Sequence, residues 1–346
     1  MSRSQWWEGP VKAAPDFEQL LKVLRREVPD RPTLFEFFLN QPLHARLAAD
    51  TTGLEPGSPE ETVVAFRNAG YDYATILASD FHFPGGEHSQ AKTISLNDGS
   101  VIRDRATFEA YQWPDPAMAD FTSLDRAAAV LPAGMKAVCQ GPCGVLENVI
   151  SLVGFDNLCF MLADDPELTA EIFDAVGRRI VAYYRTLVQY EAVGAIIGND
   201  DWGFKTQPMI SPDDMRRYVI PWHKRIVELA HDAGKPAIMH CCGNLAELMD
   251  DIIDDIRYDG KHSYEDAIQP VEEAYDTYGS RIAILGGLDV DFVIRSTPEA
   301  VYRRAKEMLE RAADRGSYAL GTGNSVPEYV PDEQYFAMIA AATEGR

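Results

Sequence analysis

Short apolar runs recur along the chain, each followed by a longer stretch whose apolar residues repeat every three or four positions. The short runs predict strands over residues 33–38, 73–78, 135–140, 194–198, 236–242, 258–263, 282–286 and 318–321. The sixth is weakly apolar, because it opens Tyr258-Asp259-Gly260-Lys261-His262. The stretches between them carry helix punctuation. Ser58-Pro59-Glu60-Glu61 offers an N-cap, a first-turn proline and an acid at capping-box offset. Ser211-Pro212-Asp213-Asp214 opens a second helix, with acids in its first turn. Pro221 should kink that helix, and Gly234 should close it. Thr297-Pro298-Glu299 opens a third, and residues 164–188 predict a long one.

Strand alternating with helix implies a parallel sheet. Eight such units predict an α/β fold of the closed (β/α)8 TIM-barrel type, as a single domain over residues 1–346. Residues 1–30 form an N-terminal helical extension in this reading. A β-hairpin excursion follows the second strand within residues 90–103, turning at Asp98-Gly99.

Composition narrows the function classes. The 346 residues are 46% hydrophobic, enough for a large closed core, and carry a net charge of −22. That charge argues against nucleic acid, whose binding needs cations to neutralise phosphates, and equally against an anionic membrane surface. Five cysteines without framework spacing read as reduced thiols. No signal-like or membrane-length apolar run is seen, so a cytoplasmic protein is expected.

In a TIM barrel the chemistry lies where the strands end. The predicted ends are polar in turn: Glu36 and Asn40, Asp80 and His82, Gln140, Asn199-Asp200-Asp201, His240 and Cys242, His262, Asp289, and Thr322 with Asn324. Side chains alternate along a strand, so His240 and Cys242 share a face and Cys241 takes the other. An imidazole and a thiolate so placed form half of a tetrahedral zinc site. Glu36 stands among Phe35, Phe37 and Phe38, where burial without a partner is costly. Asp200 and Asp201 read either as acid–base groups or as caps of a following helix, and His262 as a site residue or a satisfied core histidine. Asp80-Phe81-His82-Phe83-Pro84-Gly85 fits a cobalt-ligating pattern, but the flavodoxin-like module it needs is not encoded. Gly321-Thr322-Gly323-Asn324 lacks the last glycine of a dinucleotide loop, and reads as a substrate or anion loop.

Taken together, the chain resembles the uroporphyrinogen decarboxylase superfamily. The resemblance is carried by Gly198-Asn199-Asp200-Asp201-Trp202-Gly203, Met209-Ile210-Ser211-Pro212, Pro221-Trp222-His223-Lys224, His240-Cys241-Cys242-Gly243, Gly286-Gly287-Leu288-Asp289 and Gly321-Thr322-Gly323-Asn324-Ser325-Val326-Pro327. True decarboxylases of that superfamily place arginines after the first strand. This chain has Glu36-Phe37-Phe38-Leu39-Asn40 there, which disfavours a polycarboxylate substrate.

The resemblance therefore points to the zinc-dependent methyltransferases that exchange methyl groups with a separate corrinoid protein. It implies Zn2+ on His240 and Cys242. The later cysteine of the thiol-acting members is missing, which leaves Glu36, Asp200, Asp201 or His262 to complete the site. Asp200, Asp201 and Glu36 are the expected catalytic acids. Asp80, His82, His262, Asp289, Asn324, Trp202 and Phe38 are the expected substrate contacts. The substrate class left open is a methoxylated aromatic or a thiol, and a homodimer stays open. A metal-free decarboxylase or lyase, and a binding barrel without turnover, are the competing expectations.

Overall fold

The structure, a computed structural model, describes residues 5–49, 51–86 and 95–344. Seven parallel strands lie in sequence order: β1 (Tyr73–Leu77), β2 (Lys136–Gln140), β3 (Val193–Asn199), β4 (Ala237–His240), β5 (Gly260–His262), β6 (Ala283–Leu285) and β7 (Tyr318–Ala319). Helices cover the outside. The result is a curled α/β sheet of the TIM-barrel type. Each strand is a near-continuous buried run, as a sheet covered on both faces requires.

The first expected strand is the main departure. Residues 33–38 make only single parallel bridges, Leu34 to Leu320 and, just beyond, Leu39 to Val326. On the β1 side the backbone of this segment meets side chains instead. Tyr73 Oη donates to the Glu36 carbonyl at 2.8 Å and accepts from its N–H at 2.7 Å, and Thr75 Oγ1 donates to the same carbonyl at 3.1 Å. The segment therefore occupies the eighth stave without a regular ladder. Aromatic bulk at Phe35 and Tyr73, with ring centroids 5.6 Å apart, fills the space a ladder would need.

The expected hairpin is corrected. Thr93 and Ile94 lie outside the described residues, and residues 95–102 form turns without strands. Their backbone groups bond to the neighbouring helices: Phe155 N–H to Leu96 O, and Val101 and Ile102 N–H to Leu152 O. The Asp98-Gly99 signal makes a turn, but the sequence after it pairs across a helix corner. The N-terminal segment holds one helix, Glu18–Leu24, within described residues 5–30. Its Leu20, Val23 and Leu24 are buried in the core.

Most helix signals appear as read. Ser58 Oγ, Ser211 Oγ and Thr297 Oγ1 accept the N–H groups of Glu61, Asp214 and Ala300. Pro221 lacks an N–H, and the turn before it, Met215–Val219, widens to a π-turn that absorbs the mismatch. Among the described residues no single helix is long and apolar enough to cross a membrane. The apolar helices Val145–Val153 and Phe155–Asp164 meet at 97° and pack on Pro166–Leu187.

Candidate metal centre

Parallel pairing in register sets Asn199 beside His240 and His240 beside His262. Neighbouring residues in register project to the same face, so these three side chains share the barrel lumen at the strand ends. The ladder runs on past the strands: Asp200 N–H bonds His240 O, and Cys241 N–H bonds His262 O. That continuation carries Asp201 and Cys242 to the rim.

There His240, Cys242 and Asp201 converge, with one donor atom from each within 4.8 Å of the others. Cys242 Sγ stands 3.9 Å from His240 Nε2. Asp201 Oδ1 also accepts the Cys242 N–H at 2.8 Å, which locks the two ligand loops together. Gly243, at φ +91°, and Gly203 bring the same loops into backbone contact, and a Cβ on either glycine would collide with the other loop. Asn324 Nδ2 donates to Cys242 Sγ at 3.3 Å, and Ser263 Oγ lies 3.6 Å from it.

Burial pushes the Cys242 thiol up to about 12 and drives His240 well below its usual range. A neutral imidazole and a thiol that ionises only against a cation are a donor set suited to zinc. With the Asp201 carboxylate they could supply three protein donors, the number a catalytic zinc site uses. The residues present therefore fit a divalent ion. Asn199 adds an acceptor: its amide oxygen is buried with no hydrogen-bond partner among the described residues.

Behind these side chains the rings are ordered. His240 Nδ1 and His262 Nδ1 are 2.8 Å apart, and His262 Nε2 lies 3.2 Å from the Thr322 carbonyl. Phe37 stacks on His240 at 4.0 Å, and Phe35 meets His262 edge-on at 5.2 Å. Glu36 is fully buried and accepts both donors of Thr322, N–H at 2.6 Å and Oγ1 at 2.8 Å. Burial raises its carboxyl to about 8, against the pull of those two bonds.

The other expected site residues are placed elsewhere. Asp200 is fully buried and accepts the Leu146 and Glu147 N–H groups at 3.0 and 2.9 Å, capping the helix Val145–Val153. His223 Nε2 donates to it at 2.9 Å, with Tyr258 Oη on the far ring nitrogen at 2.8 Å. Gly144 is required there, since a Cβ would overlap the Asp200 carboxylate. Trp202 is buried behind this pair, edge-on to His223, not open to the lumen. Asp289 caps the helix Val290–Arg295 through Phe292 N–H and takes Asp266 N–H. Asp80 and His82 are exposed, and bond to Asp120 N–H and to the Asp80 carbonyl. Phe38 is 43% exposed beside Phe37. Phe81 and Phe83 pack on Tyr183 and Trp113.

Sequence reasoning missed Glu147. Burial, then the charges of Asp200 and Asp201, raises its carboxyl to about 8. Its position three residues after Gly144 reads only as a capping acid, and its Oε2 does accept the Gly144 N–H at 3.3 Å.

Fold and rim together define a TIM-barrel-like protein with a candidate ligand set at its mouth. The chain belongs to the uroporphyrinogen decarboxylase family, whose sequence model, Uroporphyrinogen decarboxylase (URO-D), it matches over residues 60–345. It is 28% identical over 194 residues to a methylated-thiol–coenzyme M methyltransferase of Methanosarcina mazei, covering 56% of this chain and 49% of that protein. It is 27% identical over 316 residues to a uroporphyrinogen decarboxylase of Myxococcus xanthus, covering 83% and 82% of the two chains. The first of these matches thus spans about half the relative's length. A solved methyltransferase from Methanosarcina mazei superposes with a TM-score of 0.72 over 94% of this chain and 97% of that one, at 16% identity, and shares its fold.

Proposed function

We propose that the protein is a zinc-dependent methyltransferase moving a methyl group between a small methylated substrate and a separate corrinoid protein. The observation that carries this reading is the convergence of a His240 ring nitrogen, Cys242 Sγ and an Asp201 carboxylate oxygen within 4.8 Å at the barrel mouth, with His240 Nε2 3.9 Å from the sulfur. When bound, zinc supplies Lewis acidity at the heteroatom that carries or accepts the methyl group.

The chain's own residues do the rest. Asp201 and Asn324 hold the Cys242 sulfur in place, one through the backbone N–H and one at Sγ. Phe37 lies flat on His240 and shields that ligand from water. Glu147, kept protonated to about 8 and beside Asp201, holds a proton for the substrate heteroatom, a role the fully engaged Asp200 does not fill. Asn199 offers its free amide oxygen to a donor on the substrate. The open side of the site is the barrel mouth, where a corrinoid protein docks in this reading. A methoxylated aromatic suits a site with one sulfur and one carboxylate better than a thiol does, because an oxygen ligand makes the ion harder.

The competing reading, a metal-free decarboxylase or lyase, draws on the decarboxylases among the relatives. The lack of arginine after residue 35 in the first stave disfavours a polycarboxylate substrate. The deciding experiment is a methyl-transfer assay reconstituted with corrinoid protein, run on zinc-loaded, zinc-stripped and Cys242→Ala protein. Transfer that depends on zinc and on Cys242 supports the proposal. Full turnover without either refutes it.

A further inference from the structure

We propose that Glu36 is a positioning residue: acting through Thr322 and His262, it fixes the tautomer of His240 that leaves Nε2 free to face Cys242. Hydrogen-bond valence along a buried chain of groups fixes it. A carbonyl oxygen only accepts, so the 3.2 Å contact between His262 Nε2 and Thr322 O puts a hydrogen on Nε2. His262 is fully buried and has no carboxylate among its hydrogen-bond partners, so a second hydrogen would leave an unpaired buried cation. Its Nδ1 is then an acceptor. The atom facing it at 2.8 Å, His240 Nδ1, must donate. A neutral His240 so protonated carries its lone pair on Nε2, the atom 3.9 Å from Cys242 Sγ.

At the start of this chain stands Glu36. It takes both the N–H and the hydroxyl of Thr322 and so ties down the residue whose carbonyl anchors His262, a carbonyl that also accepts the Gly287 N–H at 2.8 Å. Glu36 is itself held through its backbone by Tyr73 and Thr75. No hydrogen bond joins it to His240, Asp201 or Cys242 among the described residues. It acts at a distance from the ligands and is not one of them. Outer partners of this kind orient a metal-binding histidine and commonly change metal affinity by about 10–100-fold.

This inference rests on the metal reading for its purpose, but the tautomer belongs to the metal-free protein and is measured there. The experiment is 15N NMR of histidine-labelled, metal-free protein, together with cobalt(II) affinity by chelator competition, for wild type, Glu36→Gln, Glu36→Leu and Thr322→Val. Wild type should show hydrogen on His262 Nε2 and His240 Nδ1. Glu36→Gln should match it, because the amide oxygen accepts from Thr322 N–H and the amide nitrogen donates to Oγ1. Glu36→Leu should mix the tautomers and weaken cobalt about 10–100-fold. Hydrogen on His240 Nε2 in the wild type overturns the proposal. So does a folded Glu36→Leu protein with unchanged tautomers, or a Glu36→Gln protein that behaves like Glu36→Leu. Should Glu36→Leu fail to fold, Thr322→Val decides: unchanged tautomers and cobalt affinity there overturn it, and a shift in both supports it. Wild-type protein with the stated tautomers but no cobalt uptake upholds this inference and overturns the metal reading.

Discussion

His240 and His262 meet nitrogen to nitrogen, Nδ1 to Nδ1, at 2.8 Å. They lie 22 residues apart in sequence and are brought together by the register of β4 on β5. One consequence is that only one of the two Nδ1 atoms carries the hydrogen between them, so one imidazole donates and the other accepts. His240 faces the rim, and His262 faces inward to the last stave. His240 alone of the two joins Cys242 and Asp201 at the rim, and His262 backs it.

Zinc content should follow the three converging side chains. Wild-type protein is expected to carry one ion per chain, and Cys242→Ser, His240→Gln and Asp201→Asn should each weaken binding at least about tenfold. Asp200→Asn should leave zinc content unchanged, because its carboxylate is spent on Leu146, Glu147 and His223. Elemental analysis of the four purified variants checks this, and full zinc in all four would remove the proposed site.

Metal uptake should tighten with rising pH. The Cys242 thiol is pushed up to about 12, so at neutral pH the ion must displace its proton. His240 is held well below its usual range and offers no competing proton. Affinity should therefore climb close to tenfold per pH unit between about pH 6 and about pH 9. Chelator competition at several pH values reads this slope directly, and a flat profile would show that Cys242 is not a ligand.

Glu36 should make folding pH-sensitive in an unusual direction. Its carboxyl titrates near 4.5 when unfolded and at about 8 when folded. Between those values the folded chain keeps a proton that the unfolded chain loses, so stability falls as pH rises through the window and levels off above it. Glu36→Gln should flatten that slope and gain a few kcal/mol at about pH 8 relative to wild type. Urea titrations at about pH 5 and about pH 8 provide the comparison. Parallel slopes for both proteins would mean that the carboxyl is ionised throughout.

Asp200 should matter for stability rather than for the ion. Asp200→Ala leaves two helix N–H groups and His223 without their acceptor in a fully buried place. The expected loss is about 3–5 kcal/mol. A urea midpoint within experimental error of wild type would return Asp200 to the list of candidate acids.

Several features were legible before any fold was known. Ser58, Ser211 and Thr297 were readable as caps because a cap acts within one helical turn. His240 and Cys242 were readable as sharing a face because alternation is a property of one strand. The first stave reads as a strand from its apolar content but falls short of a regular one: its backbone bridges the last stave only at Leu34 and Leu39, and on the other side it meets side chains of β1. The hairpin at residues 93–102 was misread for the converse reason. Its turn signal is local, but the groups that pair with the following residues belong to Leu152 and Phe155. Asp200 and Asp201 are adjacent and chemically alike. Nothing in their order shows that one points to a helix end and the other to a sulfur.

What the sequence determined by itself was the alternation of strand and helix, the ends of most elements, and one face bearing an imidazole and a thiol. Those depend on interactions a few residues long. The third donor, the pairing of two histidines and the seating of Glu36 on Thr322 were decided only by tertiary structure. Glu36 and Thr322 stand 286 positions apart and meet because the barrel closes its last stave on its first. Sheet register and closure are collective properties of the packed core, and no local pattern encodes them.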